Sequence, residues 1–192
     1  QNRLKLVTPC NDRDDDYQRY LYDEYLAYRV LNVLTPYSHR VRLVEITYED
    51  VEDDYDTRTK IGFLIEDDDR MAERNRATYL DVAALMPMMA DGPQSVIVAV
   101  FNYMIGNLDW SPVYFHNVKL IRTEDRRFIT VPYDFDFAGV VNAGYATLPP
   151  EITEQSEIRS VTQRLFRGFC RPELQYQPMA ELFNFPITSR NA

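Results

Sequence analysis

The sequence predicts a domain of the α+β class, in which helices and antiparallel strands occupy separate stretches of the chain. Two segments have helical patterns, the amphipathic residues 17–34 and the apolar residues 96–105. Four segments have the pattern of strands: residues 40–48, 59–65, 118–121 and 128–131. The last two, separated by a charged turn, are predicted to pair as a hairpin. Because 45% of the 192 residues are hydrophobic, the chain can bury a substantial core.

The first predicted helix follows a short alternating segment, residues 3–7, which has the pattern of a strand. At helical spacing the helix presents an apolar stripe, the face expected to pack against the core: Tyr22, Leu26, Val30 and Val33. The adjacent face carries Glu24, Tyr28 and Leu31.

Several later segments carry weaker signals. The three aspartates at residues 67–69 favour a solvated charge run over a helix cap. The methionines within residues 78–89 favour core filling, and Pro87 limits any helix there. Residues 140–150 contain Gly and Pro and predict a loop. Two C-terminal helices are predicted, at residues 160–169 and 172–183.

Polar side chains that could carry chemistry are concentrated between residues 104 and 139. The apolar helix, with Asp91 as its candidate N-cap, ends at Gly106, a residue that readily stops helices. Four polar side chains follow before the hairpin begins: Asn107, Asp109, His116 and Asn117. A single loop therefore delivers a carboxylate and a carboxamide to one end of a hairpin.

Two aspartates lie at the exit of this hairpin. Residues 133–137 alternate between aromatic and acidic, so an extended chain would place Asp134 and Asp136 on one face and three rings on the other. Carboxylates that share a face without an opposite charge favour a hard divalent cation, Mg²⁺ or Mn²⁺, as their partner. The alternative is a solvated strand face above buried rings.

The order of a buried helix, a polar loop, two strands and an acidic motif matches that of protein kinases. The motifs Gly-Asn-Leu-Asp-Trp (residues 106–110), His-Asn (116–117) and Pro-Tyr-Asp-Phe-Asp (132–136) resemble the CotH family of atypical, secreted or spore-coat kinases. The resemblance implies a protein-kinase-like fold, with a small β-rich N-terminal lobe (residues 1–66) and a mostly helical C-terminal lobe that holds the catalytic-loop hairpin (residues 67–192). It also implies a secreted, cell-envelope or spore-coat location.

The resemblance further implies roles for individual residues. Asp109 corresponds to the catalytic base of kinases, and Asn117 corresponds to the metal-binding asparagine of the same loop. Asp134 corresponds to the metal-binding aspartate. Asp136 replaces the glycine of the kinase motif and is counted as a further metal ligand.

Two residues of the N-terminal part complete the implied site. In kinases, a strand lysine holds the phosphates of ATP and a glutamate of the next helix holds the lysine. By resemblance these roles fall to Lys5 and Glu24. Edge-strand lysines and helix glutamates are also among the commonest surface residues, so this pair depends on the downstream motif. The implied cofactors are ATP and Mg²⁺ or Mn²⁺.

Three features depart from the kinase pattern. Asp109 and Asn117 are eight positions apart, which requires a bulged catalytic loop. No Gly-rich phosphate loop is visible, so the strands that would carry it lie upstream of Gln1 or are absent. The position directly before Asp109 is not an arginine, so activation by a phosphorylated loop is not indicated.

The composition excludes some classes of partner. A net charge of −9 without a basic stripe argues against a nucleic-acid surface. No apolar run approaches the length of a membrane span. Cys10 and Cys170, the two cysteines, could form one disulfide or remain two thiols.

The sequence therefore leads to three hypotheses. The first is an ATP- and Mg²⁺- or Mn²⁺-dependent phosphotransferase that transfers the γ-phosphoryl group to a Ser or Thr hydroxyl of a protein substrate, with nucleotidyl transfer as a close variant. The second is a kinase-shaped pseudoenzyme that acts as a binding or structural module. The third is a metal-dependent hydrolase in which His116 would lie beside the metal.

Overall fold

The computed structural model describes residues 5–11, 14–52 and 57–169. In chain order the elements are β1 (Lys5–Val7), α1 (Asp15–Leu34), β2 (Val41–Tyr48), β3 (Arg58–Ile65), α2 (Asp68–Arg74), β4 (Ala77–Leu80), a 3₁₀ turn (Pro87–Met89), α3 (Gly92–Ile105), β5 (Val118–Thr123), β6 (Phe128–Pro132) and α4 (Pro150–Gln155). The described strands form two antiparallel three-stranded sheets, ordered β1-β3-β2 and β4-β5-β6. The α+β class is confirmed.

The first sheet comprises the three strands predicted in the N-terminal part. Lys5 of β1 and Val41 of β2 both pair with Ile65, from opposite sides of β3. Close approach of β1 depends on Gly62, because a Cβ there would lie 2.7 Å from the Val7 carbonyl oxygen. The sheet therefore holds Lys5 at the end of β3 that leads into α2.

Helix α1 buries the face opposite to the one its apolar stripe predicts. Asp14 caps the helix by accepting from the Asp16 N–H. The stripe is exposed, with Val33 at 84% and Leu26 at 55%, so its predicted burial is wrong. The buried residues are Tyr20, Leu21, Glu24, Ala27, Tyr28 and Leu31. Apolar residues occur on both faces at helical spacing, so periodicity alone did not distinguish them.

Two interpretations of the middle of the chain are also wrong. The three aspartates begin α2 rather than forming a solvated run, because Asp67 accepts hydrogen bonds from the Asp69 and Arg70 N–H groups. The methionines around the 3₁₀ turn do not fill the core: Met86 and Met88 are 69% and 66% exposed.

The hairpin and the helix before it were predicted correctly. Strands β5 and β6 pair with Val118 opposite Pro132. Asp91 caps α3 through the Gln94 N–H, and Gly106 ends it with φ +68°. Glycine adopts this left-handed conformation without the steric penalty of a side chain.

The C-terminal part differs from its prediction. Residues 160–169 are not helical, and α4 begins at the end of the predicted loop. The helix predicted at residues 172–183 lies outside the described residues, as does Cys170, whereas Cys10 is exposed. The disulfide alternative therefore stays a prediction. Within the described residues, the helices are too short or too polar to cross a membrane.

One core cluster joins the first sheet to the hairpin. Tyr28 and Phe63 are fully buried and pack together, and Phe135 lies between Tyr28 and Phe101 of α3, with ring centroids at 4.7 and 5.4 Å. Residues from both parts of the chain thus form one core. The division into lobes at residues 66 and 67 stays a prediction.

Candidate functional site

The hairpin places Asn117 beside the segment that carries the two aspartates. The Tyr133 N–H donates to the Asn117 carbonyl at 3.0 Å, which extends the β5–β6 ladder by one hydrogen bond. Asn117 and Asp134 have φ values of +51° and +62°, in the left-handed region. Asn and Asp tolerate this region better than most residues, yet each such conformation costs on the order of 1 kcal/mol. Surrounding contacts must therefore hold both.

One of those contacts comes from α1. The Asp134 N–H donates to the Tyr28 hydroxyl at 2.9 Å, and the Tyr28 ring is fully buried. Because Asp134 is left-handed, residues 133–137 are not an extended strand, and the predicted strict alternation of rings and carboxylates is wrong. Asp134 and Asp136 nevertheless lie close enough to share a hydrogen bond.

Asp109 is held by hydrogen bonds to its backbone and to its carboxylate. Its N–H donates to Asn107 Oδ1 at 3.0 Å. Asn117 Nδ2 donates to the Asp109 carbonyl at 2.8 Å and to its Oδ2 at 3.0 Å. His116 Nε2 donates to the remaining Oδ1 at 2.8 Å. The expected pairing of Asp109 with Asn117 in one loop is therefore present, in spite of their separation in sequence.

His116 forms the solvent side of this arrangement. Its side chain is 59% exposed, whereas that of Asp109 is 23% exposed. The Ser111 N–H donates to the His116 carbonyl at 2.9 Å, so a short antiparallel bridge closes the bulge between Asp109 and Asn117. This bridge explains how the loop accommodates its extra residues.

Three carboxyl groups converge behind Asp109, and their pKa values are raised. Burial, followed by the charges of Asp136 and Asp134, raises the pKa of Glu24 to about 8, against a hydrogen bond from the Phe135 N–H. Burial and Asp134 raise the pKa of Asp136 to about 6, against a hydrogen bond from Tyr145. Glu24 therefore retains its proton at neutral pH unless a cation compensates the charge of the two aspartates.

The pKa of Asp134 is also raised. Desolvation raises it, the hydrogen bond with Asp136 lowers it, and the charge of Asp109 raises it further. The charge of His116 acts in the lowering direction. Asp134 thus interacts electrostatically with both Asp109 and Asp136, and it links the loop that carries Asp109 to the carboxyl cluster.

Lys5 does not pair with Glu24 in this structure, which corrects the implied lysine–glutamate pair. Its Nζ lies 2.8 Å from Asp68 Oδ1, and the same oxygen accepts from His39 Nε2 at 3.0 Å. Lys119 Nζ lies 3.5 Å from Asp68 Oδ2. Although burial opposes the shift, the hydrogen bonds from His39 and Lys5 hold the pKa of Asp68 well below its usual range.

A cavity of about 330 Å³ connects Lys5 to the carboxyl cluster. Lys5, Glu24, Asp134 and Asp136 all contribute to its wall. Five tyrosines complete much of the lining: Tyr17, Tyr20, Tyr28, Tyr133 and Tyr145. Its size is at the lower end for a small-molecule site, which is typically about 300–1,000 Å³. The fold thus gathers four of the six predicted site residues around one cavity.

The oxygen donors at the hairpin exit are of the type that a hard divalent cation takes. Across residues 5–11, 14–52 and 57–169, no cluster of three or more His, Cys, Asp or Glu side chains has metal-binding geometry. Mg²⁺, however, is usually bound by one or two carboxylates together with substrate phosphates. Asp134 and Asp136 supply two carboxylates, and the side-chain oxygen of Asn117 accepts no hydrogen bond from the described part of the chain.

Four residues that shape the site were given no role from the sequence. Asp68 replaces Glu24 as the lysine partner, and Tyr28 and Asn107 hold Asp134 and Asp109 by hydrogen bonds. The fourth, Arg167, donates to the Leu108 carbonyl. Tyr28 carried a signal, since it lies one helical turn after Glu24, and so did Asn107, because an Asn side chain often accepts from the N–H two residues on. The contacts of Asp68 and Arg167 depend on the folded chain.

Comparison with known proteins adds no assignment: no protein-family model, curated protein or solved structure matches this chain.

Proposed function

We propose that this protein is an ATP-dependent phosphotransferase that requires Mg²⁺ or Mn²⁺ and transfers the γ-phosphoryl group to a Ser or Thr hydroxyl of a protein. The observation that carries the proposal is the fixed geometry of Asp109, which Asn117 binds at 2.8 and 3.0 Å beside the carboxyl pair of Asp134 and Asp136. The resemblance to the CotH family, the order of α3, loop and hairpin, and this arrangement support the same chemistry.

Each residue has a role that its environment supports. Phosphoryl transfer depends on positioning and charge neutralisation more than on covalent chemistry. Asp109 would accept a hydrogen bond from the acceptor hydroxyl and orient it. Asn117, Asp134 and Asp136 would hold the divalent cation, which neutralises phosphate charge when bound. Lys5, at the cavity wall, would contact the phosphates.

A second candidate is the pseudoenzyme that acts as a binding module, and one observation favours it. Lys5 is bound to Asp68 at 2.8 Å, and the raised pKa of Glu24, about 8, makes Glu24 a poor anionic partner for a lysine at neutral pH. A site without its lysine–glutamate pair could bind a ligand without turning it over. The two candidates differ in whether Asp109 is required.

Thermal unfolding with ATP and Mn²⁺, together and separately, tests for the nucleotide–metal site. At about 100 times Kd the ligands should add about 2.7 kcal/mol, which raises Tm by roughly 5–10 °C for a chain of this size. Asp134→Ala should abolish the shift, whereas the exposed control Asp15→Ala should retain it.

Transfer from ATP to a degenerate library of Ser/Thr peptides, detected by mass spectrometry, tests the activity. Asp109→Asn should abolish transfer and keep the melting shift, because Asp109 orients the acceptor and does not hold the nucleotide. A melting shift without transfer by the wild-type protein would support the pseudoenzyme. Absence of both would reject the phosphotransferase and favour a module that neither binds nor transfers nucleotide phosphate.

A further inference from the structure

Residues 160–169, which we name the C-terminal strap, cross the ends of the elements that carry the catalytic loop. Arg164 Nε donates to the Met104 carbonyl in the last turn of α3 at 3.2 Å. The strap also lies against Gly139, where a Cβ would come within 2.5 Å of the Val161 carbonyl oxygen. Phe166 packs edge-on against Tyr103 with ring centroids 6.2 Å apart. The strap is therefore fixed to α3 and to the segment after Asp136.

Arg167 of the strap reaches the catalytic loop itself. Its Nη1 donates to the carbonyl of Leu108, the residue directly before Asp109. Its Nη2 lies 4.0 Å from Glu151 of α4, and the arginine side chain is only 21% exposed. Burial lowers the pKa of Arg167, while the charges of Glu151 and Asp109 oppose that lowering. Arginine remains protonated under such conditions because its unperturbed pKa exceeds about 12.

The contact holds the carbonyl side of the peptide group whose N–H side is bound by Asn107. Asn107 fixes the Asp109 N–H, and Asn117 fixes its carbonyl and carboxylate. Arg167 fixes the peptide carbonyl that precedes it. Together these bonds hold both peptide planes around Asp109, and hence the direction of its Cα–Cβ bond, while Asn117 and His116 hold the carboxylate.

From these contacts we propose that Arg167 is a positioning residue for Asp109 in phosphoryl transfer. The inference rests on the proposed function. The residue directly before Asp109 is a leucine and not an arginine, and the strap brings a guanidinium to that point of the loop from 59 positions away. Its positive charge also lies in the field of the Asp109 carboxylate. A small displacement of a catalytic group can reduce a rate by about 100-fold, so one such restraint has a measurable effect.

Steady-state kinetics of Arg167→Gln with ATP, Mn²⁺ and the degenerate Ser/Thr peptide library test the proposal. Arg167→Gln should lower kcat by about 10- to 100-fold and leave KM for ATP within about threefold. Arg164→Gln is the matched control, because it removes an arginine–carbonyl bond of the same strap at Met104 and not at the loop. Its kcat should stay within about threefold of wild type. Arg167→Lys, which keeps the charge, should recover part of the lost kcat.

The outcomes separate this inference from the proposed function. An active wild type with Arg167→Gln as active as Arg164→Gln would overturn the positioning role alone, as would a loss confined to KM for ATP. An inactive wild type would overturn the proposed function and this inference with it. If Arg167→Gln is unfolded at the assay temperature, Arg167→Lys decides: reduced kcat at unchanged KM supports the role, and unchanged kcat rejects it.

Discussion

Replacement of Glu24 with glutamine should stabilise the protein at neutral pH. Burial and the charges of Asp136 and Asp134 raise the pKa of Glu24 from 4.5 to about 8. In the unfolded chain this carboxyl group titrates near its ordinary value. Folding at pH 7 therefore requires Glu24 to take up a proton, and that requirement reduces the free energy of unfolding.

The magnitude follows from the interval between the unfolded pKa and the pH. Glu24 is only 5% exposed, so solvent screening reduces the effect little. About two and a half units separate 4.5 from pH 7, and at about 1.36 kcal/mol per unit the lost stability is about 3 kcal/mol. Because the pKa of Glu24 is raised in the folded state, its contribution to the free energy of unfolding is fully present below pH 4.5. That contribution is lost as pH rises through about 8.

Glutamine has nearly the shape of a protonated glutamate and is neutral at every pH. Its amide oxygen can still accept the Phe135 N–H, so the hydrogen bond to the backbone is retained. Glu24→Gln should therefore be about 3 kcal/mol more stable than wild type at pH 7 and within about 1 kcal/mol of it at about pH 5. The free energy of unfolding of Glu24→Gln should still fall slightly as pH rises towards 6, because Asp136 has a raised pKa of about 6.

Urea unfolding of the wild type and Glu24→Gln at about pH 5, 7 and 8 measures this difference directly. Glu45→Gln makes the same chemical change at an exposed position of β2 and should follow the wild-type curve. Parallel stability–pH curves for wild type and Glu24→Gln would refute the reasoning. So would a variant less stable than wild type at every pH.

Three further predictions concern the contacts around the site. Asp68→Ala should lower the free energy of unfolding by about 2 kcal/mol, measured by thermal unfolding, because Lys5, His39 and Lys119 lose their shared partner. The control Asp69→Ala, at an exposed position, should change it little. Tyr28→Phe leaves a backbone N–H of the hairpin exit without its acceptor, so it should cost about 1 kcal/mol and reduce the melting shift produced by ATP and Mn²⁺. In urea unfolding, Leu31→Ala should lower the free energy of unfolding by about 2–5 kcal/mol because Leu31 is buried, and Leu26→Ala should lower it by less than about 1 kcal/mol because Leu26 is exposed. Equal losses would contradict the observed burial of α1.

The elements that could be predicted from sequence are those specified by neighbouring residues. The β5–β6 hairpin follows from two β-branched runs around a charged turn, and α3 follows from its cap at Asp91 and its stop at Gly106. The loop between them delivers Asp109 and Asn117 to one place, because the hairpin register extends to Asn117. These signals are local, so they survive without knowledge of the rest of the fold.

The features that could not be predicted depend on contacts between distant parts of the chain. The buried face of α1 is decided by Phe63 and Phe135, which lie on other elements. Lys5 meets Asp68 across 63 positions, and its choice of partner depends on the β1–β3 register and on the start of α2. Residues 160–169 are held by backbone carbonyls of α3 and the loop, which leave no sequence pattern.

Lys5 binds Asp68 rather than Glu24, and the electrostatics of the carboxyl cluster explain why. Glu24 faces two other carboxyl groups and retains its proton near neutral pH, so it offers a lysine little negative charge. Asp68 is surrounded by donors and cations, and its lowered pKa keeps it ionised. Lys5 therefore binds the carboxylate that is charged. A divalent cation at Asp134 and Asp136 would reduce the repulsion that keeps Glu24 protonated, because bound cations lower the pKa of nearby acids. The ionisation of Glu24, and with it the partner available to Lys5, is thus coupled to the charge at the hairpin exit.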